Sequence, residues 1–289
     1  LSPAKKISRE ETAYFSDLCD TWGLQLIESP HCYATWGQFA GTDAQRLADL
    51  QWALNHLTAK AIICSRGGYG ISRIIDMLDF SLFIQKPKWI FGFSDVTNLH
   101  LLINGHLNLS SVHSPMPLTI TNSDTKKQAV ESMRKALFGE PLGYSFPANK
   151  HNRIGNCKGE IIGGNLSILL QAAATKNDLI WDNKILFLEE VNESLYHVDR
   201  MLVNLKRRGV FSSIKALIIG GFTDVVDNGN WFEQDFEKLV LSHVQDSSYP
   251  VCFDFPAGHI YDNRALLFNY PAELEVNERV SNLRFNKKI

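Results

Sequence analysis

The chain has 289 residues, a formal net charge of −2 and 45% hydrophobic residues. That fits a globular protein of one large or two medium domains, and the near-neutral charge argues against a nucleic-acid or membrane-surface partner. No apolar run reaches the length of a membrane span, and the five cysteines, Cys19, Cys32, Cys64, Cys157 and Cys252, are scattered without C-x-x-C spacing, so reduced thiols in a cytoplasmic protein are expected.

Leu1-Ser2-Pro3 opens the chain abruptly and does not read as a signal peptide, which leaves room for a missing N-terminal piece. Ser8-Arg9-Glu10-Glu11 is a capping box that starts a helix to about Trp22, with Gly23 ending it. Leu24 to Ile27 reads as a short strand. Thr42 or Asp43 caps a second helix, with Leu47, Leu50 and Leu54 on one face, and Ala61 to Cys64 is a buried strand. Strands and helices alternating at this pace predict a parallel, doubly wound sheet of the flavodoxin or Rossmann type. Next comes the loop Ser65-Arg66-Gly67-Gly68-Tyr69-Gly70. It lacks the Gly-Lys-Ser/Thr of a P-loop and is not G-x-G-x-x-G. It reads either as an ordinary glycine turn or as a donor of N–H groups to an oxyanion.

Trp89 to Thr97 is strand, sharp turn, helix, with Ser94 at the turn. Such a turn holds a serine hydroxyl out over the end of a sheet and aims the next N–H, that of Asp95, at whatever the hydroxyl attacks. Gly92 fits the G-x-S-x-G pattern, but Val96 stands where the second glycine would be, and the same stretch also reads as a helix N-cap. The helix from Val96 to Asn104 carries His100. The strand-like Ser111 to Met116 carries His113, which reads as a structural histidine or as one that meets the serine at neighbouring strand ends.

Between Thr121 and Asn156 the composition shifts. A polar-faced helix from Asp124 to Phe138 precedes a Gly-, Pro- and Asn-rich stretch, so the expected division is 1–120, a linker over 121–154, and a β-rich α/β domain over 155–289. In the second half, Lys158 to Leu166 reads as strand and glycine turn before a helix to about Ala174. Lys184 to Leu188 is a strand ending on Glu189-Glu190, followed by a helix through Tyr196, Met201 and Leu205 that closes on basic residues complementing its dipole. Lys215 to Gly220 is a strand, Trp231 to Val244 a helix, and Val251 to Phe253 a strand before Pro256-Ala257-Gly258-His259. Arg264 to Phe268 and Ala272 to Val276 read as paired strands. A serine nucleophile needs a base, and the base needs an acid. Glu189, Glu190 and His259 lie at strand ends, where function gathers in open α/β sheets. Each singly also reads as a helix cap or an exposed loop residue.

Taken together, Arg66-Gly67-Gly68-Tyr69-Gly70, Gly92 to His100 and His113-Ser114-Pro115-Met116 resemble the N-terminal domain of the LD-carboxypeptidases. Gly41-Thr42-Asp43 with Arg46 and Asp49-Leu50 also fits. Gly163-Gly164-Asn165-Leu166, Leu188-Glu189-Glu190 with Tyr196 and Asp199-Arg200-Met201-Leu202, and Gly258-His259 resemble its C-terminal domain. The resemblance implies a cytoplasmic, homodimeric serine peptidase that removes the terminal D-alanine from murein tetrapeptides in cell-wall recycling, without metal or cofactor. It makes Ser94 the nucleophile, Glu189 the acid and His259 the base, with the N–H groups of Asp95 and Gly68 as oxyanion hole. Arg66 is the candidate partner for the substrate carboxylate. The chain departs from the family at Glu190, where Asp is frequent, and at Ser114, where Gly is frequent. Leu1-Ser2-Pro3 matches the end of the family's first strand. The alternatives are an amidase for microcin C-type peptidyl or acyl nucleotides and, from another class, an inactive small-molecule binding module. A nucleotide-binding module on the glycine loop lacks a phosphate lysine.

Overall fold

The computed structural model describes residues 1–120, 127–227 and 235–285. Capping boxes set the first helices. The Ser8 hydroxyl accepts the Glu11 N–H at 3.3 Å and the Glu11 carboxylate takes the Ser8 N–H at 2.8 Å, which opens α1 (Arg9–Thr21). Thr42 and Gln45 repeat the device at α2 (Asp43–Asn55). Each box satisfies N–H groups that a helix leaves unpaired at its start. The chain then runs through β1 (Ala61–Ile63), α3 (Ser81–Gln85), β2 (Trp89–Gly92), α4 (Thr97–Leu101) and β3 (Ser111–His113). There follow α5 (Lys127–Leu137), β4 (Gly143–Pro147), β5 (Gly155–Asn165), α6 (Leu166–Gln171), β6 (Ile185–Val191), α7 (Leu195–Arg207) and α8 (Val210–Ser213). After these come β7 (Ala216–Thr223), α9 (Phe236–His243), β8 (Val251–Cys252), β9 (Leu266–Phe268), β10 (Pro271–Val276) and β11 (Val280–Phe285).

The described strands form two sheets. The first has the order β1-β2-β3-β9, parallel except for β9. The second has the order β4-β11-β10-β5-β6-β7-β8. Its β4 to β5 half is antiparallel and its β5 to β8 half parallel. β5 serves both halves: Gly155 to Glu160 pairs with β10, and Ile161 to Asn165 pairs with β6. One apolar cluster joins Phe91 and Val112 of the first sheet to Phe187 and Ile218 of the second, with Phe255 and Phe268 among them. The α/β class with parallel strands thus holds in both halves.

Four local expectations change. Leu24 to Ile27 forms no strand, and Leu26 and Ile27 are exposed. Arg264 to Phe268 and Ala272 to Val276 do not pair with each other: β9 crosses to β3 of the first sheet, while β10 lies between β5 and β11. β4 falls in the stretch read as linker. Its buried Tyr144 and Phe146 alternate with exposed neighbours, a period-two signal that Gly143, Ser145 and Pro147 obscure. β11 repeats that alternation beyond the last strand read from sequence. The starts expected at Thr121, Asp124 and Trp231 lie outside the described residues. We propose the 121–154 division as the place where the chain passes between sheets, since β3 belongs to the first and β4 to the second.

Phe268 is fully buried, with its ring centroid 5.3 Å from that of His100 and 6.1 Å from that of Phe187, so it joins the two sheets. Phe268→Ala is expected to lower stability by about 3–5 kcal/mol, read from the urea midpoint. A change comparable to that of an exposed substitution would show that β9 is not part of the cooperative core.

Candidate active site

The site begins with a backbone that only certain residues allow. Gly92 ends β2 with φ +152°, and a Cβ there would stand 2.8 Å from Val96 Cγ2. Two residues on, Ser94 has φ +63°, a left-handed conformation that costs a non-glycine residue about 1–3 kcal/mol and persists only where neighbours enforce it. They do so here. The His100 Nε2–H donates to Gly92 O at 2.9 Å, and Nδ1 accepts the Ser111 hydroxyl at 2.8 Å. Burial pushes the His100 imidazole down to about 4, against the pull of the Gly92 carbonyl, so the ring stays neutral with its proton on Nε2. The Asp95 carboxylate accepts the Ile71 N–H at 2.9 Å and Asn98 Nδ2 at 3.1 Å. Its pKa is raised to about 6 by burial, with the Ile71 N–H, Arg46 and Asn98 opposing. From Ile90 to Asn104 every residue is buried except Ser94. The turn therefore presents one hydroxyl.

The glycine loop lies against this turn. A Cβ on Gly67 would come 2.8 Å from Ser94 Cβ and 3.4 Å from the Asp95 nitrogen. The Gly67–Gly68 segment and the Asp95 N–H thus share one small space. The buried Arg46 holds the loop: its Nη1 donates to Gly70 O and to Pro3 O, both at 2.9 Å, and it pairs with Asp43. The Lys5 stem covers Gly68, where a Cβ would meet Lys5 Cδ at 2.6 Å. Arg66 lies alongside and gives Nη1 to the Lys6 carbonyl at 2.9 Å.

The strand alternation of β6 separates the two glutamates. Glu189 is fully buried, and its Oε2 accepts the His259 Nδ1–H at 2.6 Å and the His259 backbone N–H at 3.2 Å. Glu190 instead takes Asn165 Nδ2, the Ser167 N–H and the Ser167 hydroxyl at 2.8, 2.8 and 2.6 Å, at the start of α6. Glu193 pairs with His197 at 2.9 Å. A register shift opposite Glu189 lets the histidine in. β7 pairs Ile219 with Leu188 and Phe222 with Glu190, leaving Gly220 and Gly221 as a bulge. A Cβ on Gly220 would sit 2.5 Å from Ala257 O, and Gly221 N–H donates to that oxygen at 2.8 Å. Gly258, at φ +108°, has no room for a Cβ, which would stand 2.7 Å from Glu189 Cβ.

The His259 ring is 4.8 Å from that of Phe93, the residue before Ser94. The structure thus brings Glu189 and His259 of the second half into contact and lays the His259 ring on Phe93, the chain neighbour of Ser94. Burial opposes charging His259, but the Glu189 charge and hydrogen bond outweigh it and raise the imidazole above its ordinary pKa. With Nδ1–H given to Glu189, Nε2 carries the basic lone pair. His113, open in the sequence between a structural role and the serine, is fully buried and donates Nε2–H to Asn263 Oδ1 at 3.1 Å. Asn263, Thr223, Lys5 and the Gly220-Gly221 bulge were not read from sequence. Of these, only the two adjacent glycines after an apolar strand left a local signal.

Comparison with known proteins shows the family to which the chain belongs. The family model described as LD-carboxypeptidase N-terminal domain matches residues 1–114, and that described as LD-carboxypeptidase C-terminal domain matches 158–274. A putative carboxypeptidase of Synechocystis is 33% identical over 261 residues, covering 90% of this chain and 84% of that protein. The probable murein peptide carboxypeptidase of Bacillus subtilis is 30% identical over 262 residues, covering 90% and 82%. The crystal structure of muramoyltetrapeptide carboxypeptidase from Oxalobacter formigenes superposes with a TM-score of 0.89 at 23% identity, covering 100% of this chain and 99% of that one, which shows a shared fold.

The packing of Gly67 on Ser94 can be tested without a substrate. A methyl at Gly67 has to displace the Ser94 side chain. Gly67→Ala is expected to slow labelling of Ser94 by a fluorophosphonate at least tenfold while the melting temperature stays within a few degrees. Unchanged labelling would mean that the loop does not constrain the hydroxyl.

Proposed function

Because the chain belongs to the LD-carboxypeptidase family, with both of its domains represented, we propose that it is a serine hydrolase that cleaves the L–D amide bond of a murein tetrapeptide and releases the terminal D-alanine. The observation that carries this reading is the Glu189–His259 contact at 2.6 Å, with the His259 ring packed on Phe93 beside the left-handed Ser94.

In this reading His259 Nε2 takes the Ser94 proton as Oγ attacks the carbonyl on the L-centre side. Glu189 holds the imidazole in the productive tautomer and stabilises the cation as it forms. The N–H groups of Asp95 and Gly68 receive the tetrahedral oxyanion, each contributing roughly a hundredfold or more. His259 returns its proton to the departing amine, D-alanine leaves, and water activated by the same nitrogen hydrolyses the acyl-enzyme. The substrate's terminal carboxylate meets a cation at the rim of the glycine loop. Arg66 is one candidate. Lys5, whose stem lies against Gly68, is a second. The reading also puts the enzyme in the cytoplasm as a homodimer, which cell fractionation and light scattering test. The five cysteines are free thiols, in keeping with a reducing compartment. Among the described residues no helix is long and apolar enough to cross a membrane.

The decisive assay is D-alanine release from L-Ala-D-Glu-diamino acid-D-Ala, with an all-L peptide and a peptidyl-adenylate analogue beside it. Only the first should be cleaved efficiently. Equal cleavage of the all-L peptide sinks the L–D assignment, and cleavage of the adenylate alone makes the microcin C-type amidase the correct reading. Ser94→Ala and His259→Ala should each lower turnover about 10⁴- to 10⁶-fold, and the double variant little further, because the two act as a unit.

The pH profile follows from the raised His259 pKa. The base must be neutral to accept the serine proton, so kcat/KM should rise with pH and level off only above the usual histidine value of about 6.5. Glu189→Gln removes what raises that pKa, so its inflection should move down while the rate falls. Glu190→Gln removes only a weaker Coulombic pull, so it should move the inflection down less than Glu189→Gln does, and it should lower the melting temperature. The reverse ranking would reassign the acid.

A further inference from the structure

His113 is a fully buried histidine, and its ring packs at an angle among three phenylalanines, with centroids 5.6 Å from Phe93, 5.2 Å from Phe187 and 5.8 Å from Phe268. An aliphatic or aromatic side chain would fill that space without the cost of burying an imidazole. Nδ1 makes no hydrogen bond among the described residues. The only polar contact of the ring among the described residues is Nε2–H to Asn263 Oδ1. The same oxygen accepts the Gly258 N–H at 2.8 Å, one residue before His259. The Asn263 amide nitrogen, also buried, has no partner among the described residues. Both donors therefore converge on one carbonyl oxygen, and the bridge runs from β3 to the turn that carries His259.

The other end of His113 is tied to the nucleophile. It stands in register with Gly92, and Ser114 N–H donates to Gly92 O at 3.2 Å. Phe93 touches the rings of both His113 and His259. One side chain thus contacts the strand that leads into Ser94 and, through Asn263, the turn that bears the base.

We propose that His113 is a positioning residue: through Asn263 it fixes the Gly258–His259 turn against the strand that carries Ser94. The proposal rests on His259 being the base. His113 takes no part in proton transfer. Burial, together with the nearby His100 and His259 and against the Asn263 hydrogen bond, pushes its imidazole down to about 3, so it stays neutral. The charged and titratable groups acting on His259 are Glu189 and Glu190 of β6, with His113 facing it from β3.

The experiment compares His113→Ala, His113→Gln, Asn263→Ala and the His113→Ala/Asn263→Ala double variant by kinetics, pH profile and the NMR signal of the His259 Nδ1–H. A small misplacement of a base costs up to about a hundredfold in rate, so His113→Ala and Asn263→Ala should each lower kcat roughly ten- to a hundredfold with KM within threefold. Both should move the acidic inflection of kcat/KM downward and shift the Nδ1–H resonance, because the Glu189 contact loosens. His113→Gln keeps an N–H donor and should recover most of the rate, and the double variant should be no worse than Asn263→Ala. If His113→Ala does not fold, His113→Gln and Asn263→Ala carry the comparison. Wild-type kcat in Asn263→Ala, or a loss of rate with the inflection and resonance unmoved, overturns the proposal while leaving the base assignment intact. An active His259→Ala enzyme overturns it by removing its premise.

Discussion

The Gly258–His259 turn has two consecutive backbone N–H groups, and side chains take both. Asn263 accepts the first at 2.8 Å and Glu189 the second at 3.2 Å. The Thr223 hydroxyl adds a bond to the His259 carbonyl at 2.7 Å. A loop histidine is ordinarily free to choose among rotamers and backbone states. Here the backbone is fixed before the imidazole bonds to Glu189, so the 2.6 Å Nδ1 contact gives the ring one orientation. The Gly220-Gly221 bulge, the glycine at 258 and the burial of Glu189 all serve that closeness. A Cβ at Gly220 or Gly258 would push the turn away from the carboxylate.

Ser94, the proposed nucleophile, is held by the opposite strategy. It sits in a strained conformation, enforced by buried polar groups that bond to the backbone and side chains around it. His100 and Ser111 hold the strand end, and Asp95 and Asn98 hold the turn and the glycine loop. The two frames meet where Gly164, at φ +134°, passes so close to Thr97 that a Cβ would stand 2.7 Å from its hydroxyl. The Asn165 N–H donates to that hydroxyl at 3.2 Å. Backbone approach of this kind leaves little slack between the sheets.

Local chemistry was legible in the sequence. The capping boxes at Ser8 and Thr42 and the strand–turn–helix around Ser94 follow from spacing within a few residues. Strand alternation says that Glu189 and Glu190 face opposite ways, but which of them faces the histidine came from the family resemblance. What could not be read is what depends on distant partners. Nothing near Leu266 says that it pairs with His113, and nothing near Asn263 says that its carbonyl caps the turn before His259. Leu24 to Ile27 has strand composition, but no strand lies beside it among the described residues to supply a ladder. β4 was hidden because Gly143, Ser145 and Pro147 occupy its solvent face, where composition reports exposure rather than structure.

The crossing of β9 into the first sheet has a consequence for the order of events on the ribosome. β1, β2 and β3 are complete once His113 has been made, but the fourth place in their sheet is filled from Leu266–Phe268. Until then the edge of β3 stands open, a row of unpaired N–H and C=O groups that invites pairing with another chain. Closing it joins residues more than half the chain apart, which slows folding. The same late strand carries in the segment that bears His259. On the proposed assignment, a nascent chain that stops short of β9 has Ser94 without a positioned base, and it becomes competent only after Leu266–Phe268 has emerged.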